Sequence, residues 1–233
     1  MEADTRQDMW EASYGRGENL VFYPSDEVVR FLARHVRKRI GFDRFLDIAP
    51  GAAGAKILDA GCGIGRNLLL GLDLGLDPYG SDHSQAAVSL AREALARRGV
   101  ANPEQRAVRS DIRQLPWSDG FFDHAISEAV LDSMAFAIAR PGLMEIGRVL
   151  RQGGWFYCSL ISGDETGHPA DFADEVVVRQ RHEQDTVQSY FDQAKIARLM
   201  EGVMEVVSCW HVRHHETVGN RRHSRWHVVC RRC

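Results

Sequence analysis

Ile57-Leu58-Asp59-Ala60-Gly61-Cys62-Gly63-Ile64-Gly65-Arg66-Asn67 is the stretch on which the fold turns. A short apolar run suited to a buried strand passes into three glycines at alternate positions and then into a helical pattern. Three such glycines let the backbone pass close beneath a ligand, where any Cβ would collide with it. A tight strand-to-helix turn alone needs only one. The stretch therefore predicts a strand, a turn and a helix with a nucleotide-like ligand seated at the turn.

Moving outward, Tyr79-Gly80-Ser81-Asp82 closes the next predicted strand, 17 residues after Gly65. Adjacent parallel strands deliver their C-terminal ends to one crevice, so a carboxylate at Asp82 can accept hydrogen bonds from both ribose hydroxyls. The glycine spacing departs from the dinucleotide pattern G-x-G-x-x-G, because the third glycine falls one residue early and Arg66 follows it. Tyr190 and Lys195 are also one residue too far apart for the Tyr-x-x-x-Lys of a short-chain dehydrogenase. An NAD-dependent dehydrogenase is thus only a minor alternative.

From Lys56 to Ile161 short apolar runs alternate with helical segments, the pattern of parallel strands joined by crossover helices. Strands are expected at 56–59, 78–82, 105–110, 122–127 and 155–161, and helices at 66–74, 84–98 and 142–150, the last stopped by Gly153-Gly154. Ser25 is the expected N-cap of an earlier helix, with Asp26 and Glu27 in its first turn and Val28, Phe31, Leu32, His35, Val36 and Ile40 at helical spacing up to Gly41. Residues 1–23, with Trp10, Tyr14 and Tyr23 around a Gly-rich stretch, read as a mobile flap that brings Tyr14 and Tyr23 to the substrate side. Residues 163–188 are polar and weakly periodic; an amphipathic stretch at 190–200 and a closing pair of strands at 204–212 and 225–231 follow.

Four ordered motifs carry a family resemblance: Leu58 to Gly65, Gly80-Ser81-Asp82-His83-Ser84, Ser110-Asp111-Ile112 and Arg148-Val149-Leu150-Arg151-Gln152-Gly153-Gly154. Over residues 56–161 the chain resembles the class I S-adenosylmethionine-dependent methyltransferases. The resemblance implies an α/β fold, a Rossmann-like doubly wound sheet of seven mostly parallel strands with the last strand antiparallel, plus an N-terminal helical cap. The residue pattern itself divides the chain into a flap and cap helix at 1–46 and a cofactor-binding domain at 47–233, with 163–188 a substrate-side insertion. The resemblance places Gly61, Gly63 and Gly65 beneath the methionine part of S-adenosylmethionine and Asp82 on the ribose. Asp111 then meets the adenine amino group, and the Ile112 amide a ring nitrogen. Ser127 and Glu128 come beside the methyl group, and Asp59, Cys62 and His83 complete the cofactor set.

Such chemistry needs an oriented, desolvated acceptor in line with the S–CH3 bond, and no nucleophilic residue or metal. For a hydroxyl acceptor a base is useful: Glu128 and Asp132 follow the fourth strand and His182 lies in the insertion after the fifth, and His182 is favoured because the ordinary pKa of histidine suits proton removal at neutral pH. The Asn/Asp-Pro-Pro-Tyr motif of enzymes that methylate amino groups on nucleic acids is missing at Ser127-Glu128-Ala129-Val130. The expected function is methyl transfer to an oxygen or nitrogen of a small molecule. The alternative is an inactive cofactor-binding partner or sensor.

Composition narrows the partners. With 29 Lys and Arg against 32 Asp and Glu, the net charge of −3 supplies no global field for phosphate backbones or anionic lipid. Neither a nucleic-acid nor a membrane partner is expected, and the oligomeric state is open. There is no basic, apolar leader at residues 1–10 and no membrane span, so a cytoplasmic protein is expected. Five scattered cysteines read as reduced thiols. The C-terminal Cys and His residues, Cys230-Arg231-Arg232-Cys233 included, read as solvated or packed rather than as a metal site.

Overall fold

The computed structural model describes residues 2–164, 175–178 and 185–233, with residues 2–8 as backbone only. Helices α1 (Glu2–Gly15) and α2 (Asp26–His35) and a ribbon of β1 (Arg37–Arg39) and β2 (Phe45–Asp47) come first. Then follow β3 (Lys56–Ala60), α3 (Arg66–Asp73), β4 (Asp77–Asp82), α4 (Gln85–Arg97), α5 (Pro103–Arg106), β5 (Ala107–Arg109), β6 (Phe122–Glu128), α6 (Phe136–Val149) and β7 (Leu150–Ile161). A second ribbon of β8 (Glu175–Val177) and β9 (Val187–Ser189), helix α7 (Gln193–Met200) and the hairpin β10 (Met204–Glu216) and β11 (Arg221–Arg232) complete the described chain.

Seven strands form the main sheet in the order β10-β11-β7-β6-β3-β4-β5. Pairings among β7, β6, β3, β4 and β5 are parallel, while β11 runs antiparallel to both β7 and β10. This is the Rossmann-like sheet expected, with its last strand reversed. The strand order turns back at β3, which has β6 on one side and β4 on the other, so the crevice opens at the C-terminal ends of these strands.

Each face of the sheet carries a core. On one side Leu143, Ile146 and Val149 of α6 and Ile196, Leu199 and Met200 of α7 pack on Leu58, Phe156, Leu160 and Val228. On the other, Val28, Phe31 and Leu32 of α2 cover Ile57, Ile126, Tyr157 and Val229, with Phe31 stacked on Tyr157 at 5.3 Å. Helix α2 therefore belongs to the layer covering the sheet, and the N-terminal element that roofs the crevice is α1. No helix among the described residues is long and apolar enough to cross a membrane.

Several expectations need correction. Residues 1–23 are not an irregular flap throughout, since Glu2–Gly15 is helical and Ser13 is buried; the Gly-rich stretch only ends that helix. Helix α2 starts at the Ser25 cap, whose Oγ accepts from Val28 N, but ends at His35 rather than reaching Ile40. The chain then enters the β1–β2 ribbon, which leaves Ile40 47% exposed and straddles the expected 46/47 boundary. The strand expected at 105–110 shortens to Ala107–Arg109, because the turn opened by Asn102 and Pro103 takes residues 103–106.

Helix α6 begins at Phe136, six residues before the expected start, with Pro141 inside it. The missing Pro141 N–H is outweighed by burial of Ala139 and Leu143 on either side. Gly153-Gly154 does not stop that helix. It lies within β7, where the register against β6 slips between Phe122 and His124; Gly153 adopts φ +67°, and a Cβ at Gly154 would lie 2.7 Å from the Asp123 carbonyl oxygen. The glycines serve a bulge.

Candidate functional site

A cleft of about 250 Å³ lies over the turn between β3 and α3. Gly61, Cys62, Gly63 and Ile64 of the turn line it, as do Arg66 and Asn67 from the first turn of α3. Ser81, Asp82 and His83 enter from the end of β4, and Ser110, Asp111, Ile112 and Arg113 from the loop after β5. Glu128, Ala129, Val130, Ser133 and Met134 follow β6, and Ile138 comes from α6. Trp10 and Tyr14 of α1, with Asn19 and Val21 beyond it, form the roof.

The turn tolerates only glycine where it is tightest. At Gly61, φ is +83°, and a Cβ would lie 2.3 Å from Cγ2 of Val130. At Gly63, a Cβ would meet the Tyr14 hydroxyl at 2.7 Å. Gly61 thus lets the loop after β6 close against the turn, and Gly63 keeps open the space under α1.

Asp82 is held by two backbone donors, Gly63 N–H at 2.8 Å and Ser84 N–H at 3.0 Å. Burial raises its pKa, and those two hydrogen bonds oppose the rise. The carboxylate joins the turn to the N-terminus of α4 and still lines the cleft. Asp111 lies across from it in an exposed bidentate pair with Arg113 (Nε to Oδ1 2.9 Å, Nη2 to Oδ2 2.5 Å). That guanidinium holds the Asp111 pKa below the ordinary carboxylate range.

The floor is a buried polar cluster. Glu128 accepts from Arg66 Nη2 at 2.9 Å and from Asn67 Nδ2 at 3.4 Å. The same Asn67 amide lies 3.4 Å from Asp59 Oδ1. Asp59 sits behind the lining at 3% exposure, and its pKa is pushed up to about 7, first by burial and then by the negative charge of Glu128. Asp59 Oδ2 and Asn67 Oδ1 are both buried without a hydrogen-bond partner. Such orphaned acceptors beneath a cleft suit a donor brought by a ligand.

The wall beyond Glu128 is built from an unusual backbone. Ala129 adopts φ +56° and its N–H donates to Ser159 Oγ at 3.0 Å. Asp132 is buried; it accepts from Ile161 N at 2.6 Å and from Arg225 Nη2, and its carbonyl accepts from Ser189 N at 2.7 Å. These bonds present Val130, Met134 and Ile138 to the cleft. The roof has its own tether: Glu11 of α1 accepts from Ser84 Oγ at 2.7 Å and from Ala86 N at 3.1 Å, at the N-terminus of α4 where the helix dipole favours an anion.

Gly61, Cys62, Gly63, Asp82, His83, Asp111, Ile112, Glu128 and Tyr14 thus meet around one cleft. Asp59 and Ser127 are buried behind the lining, and Gly65 caps α3 in a left-handed conformation. Tyr23 is 82% exposed outside the cleft, although its carbonyl accepts from Arg66 Nη1 at 3.4 Å. His182 lies outside the described residues. Among those described, no three His, Cys, Asp or Glu side chains converge as metal ligands would.

Sequence reasoning passed over Arg66, Asn67, Arg113 and the roof residues Trp10 and Asn19. Arg66 and Asn67 directly follow the glycine turn, a position that faces the crevice in any strand-turn-helix unit. Val130, Met134 and Ile138 recur every four residues, which is also readable.

Residues 58–158 match the family model of a methyltransferase domain. A protein of Encephalitozoon cuniculi (strain GB-M1) named as a methyltransferase is 35% identical over 99 residues, 42% of this chain and 41% of that protein. The tRNA (carboxymethyluridine(34)-5-O)-methyltransferase of Mus musculus is 34% identical over 111 residues, 47% of this chain and 15% of that protein. The chain thus spans less than half the length of these curated relatives. Among solved structures, the 1,6-didemethyltoxoflavin-N1-methyltransferase of Burkholderia thailandensis, with 1,6-didemethyltoxoflavin and S-adenosylhomocysteine bound, superposes with a TM-score of 0.69. The match covers 99% of this chain and 88% of that one at 16% identity, a likeness of fold.

Proposed function

We propose, on the premise that residues 58–158 are a methyltransferase domain of the class I, S-adenosylmethionine-dependent kind, that this chain transfers a methyl group from S-adenosylmethionine to an oxygen or nitrogen atom of a small molecule. One observation carries the reading. A single cleft gathers the glycine turn, Asp82 and Asp111 together with an apolar wall of Val130, Met134 and Ile138 and the roof of α1.

The residues fit the cofactor. Asp82 has acceptor capacity left for two hydroxyls, and Asp111 and Ile112, which line the same cleft, would meet an adenine edge. The glycines leave room for the methionine portion, whose ammonium would face the Asn67 and Glu128 side chains that line the cleft. When bound, the sulfonium supplies an electrophilic methyl group.

The chain's own residues then orient and dry the acceptor. Val21 and Tyr14 exclude water from above, and Val130, Met134 and Ile138 from the side, so a neutral amine or hydroxyl loses its hydration shell beside Glu128. The ion pair with Arg66 gives Glu128 a positioning role on the floor. Removal of a proton from a hydroxyl acceptor then falls to His182, and His182→Gln should lower turnover roughly 100-fold with cofactor affinity unchanged.

The test is transfer of labelled methyl from S-adenosylmethionine into separated metabolite and RNA fractions. Label in metabolites supports the proposal. Label confined to tRNA would overturn its small-molecule half and align the chain with its mouse relative. Cofactor binding without label in either fraction would make it a binding protein.

A further inference from the structure

The β1–β2 ribbon lies at the opposite end of the sheet from the cleft. Arg37 anchors it there: Nη1 donates to the Leu74 and Gly75 carbonyls at 3.0 Å each, where α3 ends just before β4 begins. The glycine turn lies beyond the other end of that strand layer, about 20 Å away for a six-residue strand.

Register divides the ribbon into two faces. The pairs Arg37–Asp47, Lys38–Leu46 and Arg39–Phe45 put Arg37, Arg39 and Phe45 on one face, where both guanidinium groups lie over the Phe45 ring at 4.7 and 5.9 Å. The opposite face carries Lys38 and Leu46, with Ile40, bonded to the Arg44 carbonyl, and Ile48 next along it. Leu46 is 49% exposed, Ile40 47% and Ile48 40%, and Phe42 at the tip is 91% exposed. At the tip, Arg39 donates to the carbonyls of Gly41 and Phe42.

Charge around this knob inverts that of the chain. Residues 34–48 hold five cations (Arg34, Arg37, Lys38, Arg39, Arg44) against Asp43 and Asp47, a local +3 in a protein of net −3. Near the tip, Lys38, Arg39 and Arg44 flank the exposed Ile40, Phe42 and Leu46. This arrangement matches an interface whose apolar layer lies beneath an anionic surface, where an aromatic ring and aliphatic side chains enter at headgroup depth and Lys and Arg stay with the phosphates.

We infer that the β1–β2 ribbon docks this protein peripherally on anionic lipid bilayers through Ile40, Phe42 and Leu46, with Lys38 and Arg44 on the headgroups. No membrane span is required for such docking. It leaves the cleft facing water at the far end of the sheet, so cofactor affinity is independent of it.

The test is co-sedimentation of the full chain with vesicles of phosphatidylcholine alone and of phosphatidylcholine with roughly 30% phosphatidylglycerol, in roughly 0.1 M salt. The anionic vesicles should bind at least about tenfold more protein, an excess that 1 M salt removes. Phe42→Asp and the double variant Lys38→Glu/Arg44→Glu should each reduce it at least about tenfold, with melting temperature and cofactor affinity as in the wild type. Equal binding to both vesicles, or variants that bind like the wild type, would overturn the inference. So would a wild-type dimer that ignores vesicles and that Phe42→Asp turns into a monomer, since a second copy would then cover the ribbon.

Discussion

Two clusters of buried polar groups lie on the same sheet and handle burial in opposite ways. Beneath the cleft, Asp59, Asn67, Glu128 and Arg66 bring two carboxylates close together, leave two oxygens unpartnered and push the Asp59 pKa up to about 7. On the α2 side, the Tyr157 hydroxyl and His227 Nδ1 are 2.8 Å apart, and His227 is stacked between Tyr157 and Trp210 at 6.2 and 5.6 Å. There burial lowers the His227 pKa to about 4, so the pair is neutral and satisfied. One cluster keeps charge and open valence where a ligand arrives; the other gives up charge to pack. The difference marks a functional region without reference to any relative.

The contrast is sharpest in the pH dependence of stability. Asp59 has its folded pKa raised from 3.8 to about 7, so ionisation penalises the folded chain. The penalty is absent below pH 3.8, grows as pH rises and is complete above pH 7. Asp59→Asn should therefore stabilise the ligand-free protein at pH 8, by at most about 4 kcal/mol, and leave it unchanged near pH 4. Urea titrations across that range measure the effect. A variant no more stable than wild type at pH 8 would break the comparison.

Asp82→Ala removes an acceptor from the cleft and leaves the α2 side untouched. It should weaken S-adenosylmethionine binding by about 1–3 kcal/mol, through lost charge-assisted hydrogen bonds. Calorimetry reads it directly, with NAD as the control that the dehydrogenase alternative would make the tighter ligand.

His227 gives the opposite slope to Asp59. Its folded pKa falls from 6.5 to about 4, so its contribution is fully present above pH 6.5 and is lost as pH falls towards 4, when the unfolded chain takes up the proton first. His227→Gln, which keeps an acceptor for Tyr157, should flatten that acid limb by about 2 kcal/mol and leave cofactor affinity alone. Thermal melts between pH 4 and 7 suffice, and an acid limb as steep as that of the wild type would exclude His227 as its source.

The smallest effect concerns the roof. Glu11→Ala removes the tether of α1 to the start of α4, while Ser84 still caps α4 through Ala87 N. Cofactor affinity should fall by about 1 kcal/mol or less, and limited proteolysis should cut within α1 sooner. Equal cleavage rates would show that another contact holds the helix.

The cleft-forming strands were legible because their signals are local: β3 and β6 start at the expected residue, and Asp82 ends β4. Asp59, Glu128 and Tyr14 were legible singly, but the contacts that join them into a floor and a roof were not. Asp59 and Glu128 lie 69 positions apart and meet only because β3 pairs with β6; nothing in either neighbourhood announces a shared pKa. Glu11 and Ser84 are as remote, and a sequence of α1's composition gives no apolar stripe by which to read a docked helix. Asp132 illustrates the converse: it resembles an accessible acid after β6, yet Arg225 and Ile161 enclose it.

By itself the sequence determined what depends on near neighbours: the βα alternation, the glycine turn and the carboxylates at strand ends, since strand and helix periods and glycine's freedom at positive φ act within a few residues. Tertiary structure alone decided which buried carboxylates share a field, which loop closes over Gly61 and which N-terminal helix roofs the cleft. Those outcomes depend on distances between residues far apart in the chain, and packing alone sets such distances.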